Sequence, residues 1–225
     1  MKYITSASQY FDTFTNFINS PLCPPTEKTI YLGLAYHILD HGILFNTEQL
    51  TIDRHLQSLI DLHKRHPDIE FWDYSLVNVY ELEKNGIPAK HVPLITSGIY
   101  LEKLLNFRKQ PPIYDIGFNG SISQRRTVIL DALKKAGFSV LISRSWGDVR
   151  DNELSQCKIH INIHFATDYM VFESARCEPW LSAGVPVISE LSLDNDPRCI
   201  LTTYDKFVDT VKKYFANKIE TPGSV

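Results

Sequence analysis

The residues best placed to do chemistry stand where an extended run gives way to a helix. Gly117-Phe118-Asn119-Gly120-Ser121 leads into Arg125 and Arg126. A glycine-containing turn at a helix start forms an anion site, because free backbone N–H groups and the helix dipole point at the ligand. Arginine adds bidentate donors suited to phosphate. The plain alternative is a turn with solvent-facing arginines, and no full G-x-G-x-x-G or Walker pattern decides between the two. Further on, Glu173 and Arg176 stand three residues apart at a second helix start, and so share one face. A carboxylate there suits ribose hydroxyls and a guanidinium suits phosphate; as a mere surface pair they would add only a few tenths of a kcal/mol. Pro179 follows inside the same helix, where it costs about 3 kcal/mol unless the helix bends for a packing or site reason.

Candidates for proton transfer lie in the first half. Glu48 and Asp73 each follow a candidate strand, and a carboxylate or imidazole in such a position can take a proton from a hydroxyl as a general base. Glu48 ranks first, Asp73 second and His41 third. The structural alternatives are helix-dipole placement for Glu48 and a capping or turn role for Asp73. His37 with His41, and His160 with His164, have the spacing of ligand pairs but no third ligand in register, so no metal site is expected. His164 ends a strand and reads as a hydrogen-bonding residue, His160 as structural. Asp194-Asn195-Asp196 spells a D-x-D, yet it precedes Pro197 after the last candidate strand of the second half, so turn chemistry is expected there rather than metal binding.

These residues need a scaffold of strands that deliver them to one edge. In the second half, strands are expected at 113–118, 139–144, 159–165 and 186–189, with helices over 121–138, about 172–183 and 204–218. The first half repeats this grammar with strands at 2–5, 29–35, 43–45 and 69–72 and helices over about 8–19, 48–65 and 75–85. Strand and helix in alternation predict an α/β chain of two Rossmann-like parallel-sheet domains, 1–104 and 105–225, facing a cleft.

Composition agrees with that class. The 225 residues are 44% apolar and 22% charged with a net charge of -3, values of an ordinary folded protein without the basic excess of a nucleic-acid binder. No run reaches the roughly 18 to 20 apolar residues of a membrane span, and MKYITSASQYF lacks the pattern of a signal peptide. Four separated cysteines suggest reduced thiols, so a cytoplasmic location is expected.

Several motifs together carry a resemblance. The run INIHFATDYMVFESARCEPWLSAGVPVISE (161–190) resembles the sugar-nucleotide site of compact GT-B-type glycosyltransferase-like proteins, where an N-x-H strand end precedes E-x-x-R and a small-residue, Gly, V-V-S-E ending. ILFNTEQL (43–50), FWDYSLVN (71–78) and YDIGFNGSISQRR (114–126) are similar to further elements of that group, so the likeness covers most of 43–194 and leaves 1–42 unmatched. It implies transfer of a sugar from a nucleoside diphosphate sugar to a glycan or other hydroxyl acceptor, without a bound metal or other cofactor. It further implies that Glu173 holds the ribose, that Arg125, Arg126 and Arg176 face the diphosphate, and that Ser143 and Arg144 lie near the base. Gly117, Asn119, Gly120, Ser121, His164 and Phe172 complete the expected nucleotide site. Two other classes compete. A binding module with a relic nucleotide site is compatible with the same motifs, whereas a dinucleotide-dependent epimerase or dehydrogenase would need a glycine fingerprint that KYITSASQYF does not supply.

Overall fold

The computed structural model describes residues 3–5, 12–33 and 41–219. The first sheet holds β1 (Tyr3–Thr5), β2 (Ile30–Leu32), β3 (Ile43–Asn46), β4 (Glu70–Asp73) and β5 (Ala89–His91), in that spatial order. The second holds β6 (Tyr114–Asn119), β7 (Val140–Ser143), β8 (Cys157–Asn162), β9 (Val187–Glu190) and β10 (Ile200–Thr202), ordered β10-β9-β8-β6-β7. Every pairing is parallel. The chain is therefore an α/β protein with two Rossmann-like parallel sheets.

Parallel strands must be apolar on both faces because helices cover both, and the first sheet shows it residue by residue. Ile43 and Phe45 pack with Phe14 and Phe17 of α1 (Asp12–Ile18). The intervening Leu44 packs instead with Leu59 and Leu62 of α2 (Asp53–Arg65) and Leu82 of α3 (Leu76–Lys84). In the second sheet Ile116, Ile159 and Ile188 join Leu130 and Leu133 of α5 (Gln124–Lys135) and Val211 of α8 (Phe207–Ile219).

Two helices and two strands add to the sequence expectation. Helix α4 (Gly98–Phe107) covers the expected junction at 104/105 and packs on α6 (Gly147–Ser155) and α7 (Ser174–Ser182) of the second half. Its Ser97 cap accepts from Tyr100 N, and Tyr100 and Leu104 join the core around Trp180. Helix α6 escapes a periodicity reading because GDVRDNELS has no continuous apolar stripe. Strands β5 and β10 are three residues each, too short for a pattern to declare itself.

The two halves interlock. Val171 of the second half sits in the first-half core, and its N–H donates to Gln49 Oε1 at 2.9 Å. Thr51 Oγ1 donates to Asp168 O and Arg54 to the Tyr169 hydroxyl, both at 2.9 Å. Pro179 also finds its reason here. A proline at that position cannot donate to the carbonyl four residues back, and the freed Ala175 carbonyl instead accepts from Thr13 Oγ1 of α1 at 3.0 Å.

Candidate functional site

In the second sheet β6 lies between β7 and β8, so the chain leaves β6 toward one side and later returns on the other. Such a reversal of strand order opens a crevice beyond the carboxyl ends, where ligands of open α/β sheets bind. A cavity of about 500 Å³ stands there, bounded by Asn119, Gly120 and Ser121 of the β6–α5 turn, and on the first-half side by Thr47, Glu48 and Tyr74. A second cavity of about 410 Å³ adjoins it, reaching Ser143 at the end of β7 and Arg144 and Ser145 just beyond, and sharing Trp146 and Arg150 with the first.

The floor of the larger cavity is an arginine pair bridged by a carboxylate. Ser123 caps α5 by accepting from Arg126 N at 3.2 Å, which fixes the helix phase so that Arg126 turns inward. Its guanidinium, in a residue only 2% exposed, donates to Ile163 O (2.8 Å), Ser121 O (2.8 Å) and Glu173 Oε1 (2.7 Å). Burial pulls its pKa down to about 10, with Arg176 pushing the same way, so the group is still a cation at neutral pH. Arg176 pairs with the other oxygen of Glu173 and donates to Asn162 Oδ1 at 3.0 Å. Both guanidinium groups lie about 5.4 to 5.5 Å from the Phe118 ring centre, within cation–π range. Gly120 has φ +130°, and a Cβ there would come within 2.5 Å of Arg176 Nη2, so only glycine allows the turn and the arginine to meet.

Several expected residues are elsewhere. Arg125, one step round the helix, points away from the cavity: Nη1 donates to Glu190 Oε2 at 2.6 Å, and the guanidinium lies 3.8 Å from the centre of the Tyr204 ring. His164 contacts the chain after β9, with Nε2 3.0 Å from Leu191 O, and does not border the cavity. Phe172 is core, packed with Trp180 and Leu154. Gly117 serves sheet packing, since a Cβ there would lie 2.9 Å from Cys157 Sγ. Ser143 borders the smaller cavity, but its hydroxyl donates to Glu153 at 2.7 Å; Arg144 is exposed at the same rim. Asn119, Gly120, Ser121, Arg126, Glu173 and Arg176 do come together at the larger cavity.

The three acids and bases separate just as clearly. Glu48 borders the cavity, its backbone fixed by N–H donation to Asn46 Oδ1 (3.1 Å) and by carbonyl acceptance from Asn46 and Asn78 amides (2.8 and 3.0 Å). Its carboxylate lies 3.6 Å from His55 Nδ1. His41 is exposed ahead of β3, at the sheet edge opposite Glu48. Asp73 is fully buried and accepts from Asn46 (2.6 Å), Ser75 N (2.8 Å) and Asn78 (3.1 Å), so it organises the turn that presents Glu48 and does not border the cavity.

Burial drives the Asp73 carboxyl up to about 7 despite its three donors. Between about pH 4 and 7 the folded state holds a proton that the unfolded chain releases, so this group's contribution to stability falls as pH rises through that window. Asp73→Asn removes the titration but leaves an amide N–H facing the Asn46 amide. We expect a lower melting temperature whose deficit against the parent shrinks from pH 5 to pH 7.5, read by thermal melts; a deficit that widens contradicts the assignment.

Asp194 accepts from Phe172 N at 2.8 Å and from the Ser75 hydroxyl of the first half, while Asp196 pairs with Arg198. The D-x-D is thus a turn and an inter-half tie, and among the described residues no three His, Cys, Asp or Glu side chains gather as a metal site. Sequence reasoning missed Arg150, held by Asp151 (3.0 Å) and the Tyr100 hydroxyl (3.1 Å), and Trp146, 45% exposed where the two cavities meet. It also missed Thr47, Tyr74 and Tyr169. The sequence cue near them was Gly147 as a turn-forming residue, which the structure has at φ +55° where α6 begins.

No family model and no solved structure matches the chain. It is similar to uncharacterized proteins of Acanthamoeba polyphaga mimivirus: to L137 at 37% identity over 187 residues, covering 79% of this chain and 24% of that protein. Against L140 the identity is 34% over 185 residues (78% and 59%), and against L138 it is 34% over 172 residues (75% and 18%). The chain spans 59% of L140 and a quarter or less of L137 and L138, under two thirds of each. The similarity therefore marks a unit that recurs within longer proteins. No described helix is long and apolar enough to cross a membrane.

Proposed function

We propose that the protein is a glycosyltransferase of GT-B-like architecture that moves a hexose or pentose from a nucleoside diphosphate sugar to a hydroxyl of a glycan or other acceptor. The observation that carries this reading is the Arg126–Glu173–Arg176 floor at the switch point, with the Glu48 carboxylate on the facing wall of the same cavity. A leaving nucleoside diphosphate gains charge as the bond to the sugar lengthens, and fixed cations and N–H groups in a sheltered cleft stabilise that charge best. Guanidinium groups have five N–H donors each, so Arg126 and Arg176 retain capacity for phosphate oxygens beside their present partners. Glu173 supplies acceptors for ribose hydroxyls. Trp146 offers an aromatic face for the base where the two cavities join.

In an inverting reaction the acceptor oxygen attacks the anomeric carbon, the bond from that carbon to the diphosphate oxygen breaks, and the electron pair leaves with the diphosphate. The acceptor's proton passes to the Glu48 carboxylate. Cationic side chains take the role that a divalent ion has in metal-dependent transferases, so release of nucleoside diphosphate from a donor panel is expected to continue in excess chelator. Loss of turnover in chelator, restored by manganese or magnesium, would overturn the metal-free reading. A nucleotide-binding module without transfer is the second reading, favoured by the fact that of Glu48, Asp73 and His41 only Glu48 borders the cleft. Nucleotide binding with neither hydrolysis nor transfer across the panel supports it.

A further inference from the structure

Where β7 runs on into α6, four consecutive side chains turn alternately inward and outward. Ser143 is buried and Ser145 half-buried, whereas Arg144 and Trp146 are exposed. That is the alternation of an extended chain, and Trp146 keeps extended backbone angles (φ -129°, ψ 160°) up to the first residue of the helix. The inward pair meets a single carboxylate. Ser143 Oγ donates to Glu153 Oε2 at 2.7 Å and Ser145 Oγ to Glu153 Oε1 at 3.1 Å, while Ser145 N donates to Ser143 Oγ at 3.4 Å. Glu153 stands about two helical turns along α6 from Trp146, so the helix itself carries the anchor. Glu153 borders neither cavity, yet of the two residues it leaves facing outward Trp146 borders both and Arg144 the smaller one.

We propose that Glu153 is a positioning residue, which clamps the segment from Ser143 to Ser145 onto α6 and so presents Trp146 to the two cavities. For what Trp146 then meets, a base, the inference rests on the nucleotide reading above. Hydrogen bonds to an ionised acceptor are stronger than those between neutral groups, and here one side chain makes two of them to residues that flank Arg144. The segment needs such a hold because it ends at Gly147, whose φ of +55° belongs to a residue with wide backbone freedom. A segment fixed before the ligand arrives spares the complex the cost of ordering it. Since Glu153 touches neither cavity, its effect on a ligand runs through the segment it holds.

The chain has three tryptophans, and Trp72 and Trp180 are each 2% exposed against 45% for Trp146, so acrylamide quenching of the fluorescence of the full chain reads Trp146. Glu153→Ala should raise the quenching. Glu153→Gln should hold it at the parent value, because the carboxamide keeps an acceptor for one serine and offers an N–H to the other. Binding is read by calorimetry with UDP, GDP and inorganic pyrophosphate, which has no base. Glu153→Ala should weaken the tighter nucleoside diphosphate about tenfold more than it weakens pyrophosphate, the order that stacking on one aromatic ring contributes, and Glu153→Gln should restore the parent ratio. A general loss of structure moves both ligands together, so the ratio separates positioning from stability. If Glu153→Ala melts early, Ser143→Ala combined with Ser145→Ala removes the same two bonds from the other side and takes its place. Unchanged quenching in the alanine variant, equal losses for nucleotide and pyrophosphate, or a glutamine variant that behaves as alanine does would overturn the inference. Binding of neither nucleotide by the parent would remove the nucleotide reading, whereas the quenching needs no ligand and judges the clamp by itself.

Discussion

Replacing Arg126 with methionine should lower stability by about 3 to 5 kcal/mol, the cost of removing one member of a buried ion pair and leaving the other unpaired. The expected drop in melting temperature is roughly 10 °C for a chain of this size. The size of the effect follows from what the side chain spans. Arg126 ties the carbonyls of Ser121 and Ile163 to Glu173, and so joins the β6–α5 turn, the chain after β8 and the start of α7. Methionine fills much of the volume and satisfies none of those acceptors. Arg125→Met, one residue away, should leave the cavity intact, because its partners are Glu190 and Tyr204. Thermal melts of both variants, with nucleotide binding measured on each, check the contrast; equal loss of nucleotide affinity would contradict it.

Glu48→Gln should lower turnover by 10²- to 10⁴-fold, the usual cost of losing a general base, while nucleotide affinity stays at the parent value. Gln keeps the shape of the side chain, and the backbone of residue 48 is held by Asn46 and Asn78 whatever its side chain carries. The substitution thus alters the proton acceptor and little else. Steady-state kinetics on a donor that the parent turns over, beside direct measurement of nucleotide affinity, separate the two effects. Near-normal turnover would remove Glu48 from the chemistry and favour a retaining reaction or the binding-module reading.

Most of the framework was legible because strands buried on both faces read as short apolar runs. ILFN, IEFW and IHIN announce themselves, and the helices after them keep a helical apolar spacing. The chemistry was legible less evenly. Glu173 and Arg176 at i and i+3 necessarily share a face, and they meet as expected. The adjacent Arg125 and Arg126 differ by about 100° round the helix, and the phase is set by the Ser123 cap, whose choice over the neighbouring Ser121 is decided by the three-dimensional turn. Asp73 follows a strand as Glu48 does, but two asparagines enclose it, one of them 27 residues away in sequence. Arg150 and Trp146 were missed because α6 carries too few apolar residues to show a period, and its buried Asp151 finds Tyr100 only through the packing of α4.

Whether Arg176 and its neighbours hold a diphosphate is read by calorimetric titration. Matched nucleoside diphosphates and monophosphates, UDP with UMP and GDP with GMP among them, would be titrated into the parent and into Arg176→Ala. At least one diphosphate should bind the parent and raise its melting temperature by mass action. Arg176→Ala should weaken that diphosphate by about 1.5 to 3 kcal/mol, the range for a hydrogen bond to a charged group, and the matching monophosphate by clearly less. No diphosphate binding at millimolar concentration, or equal losses for diphosphate and monophosphate, would contradict it.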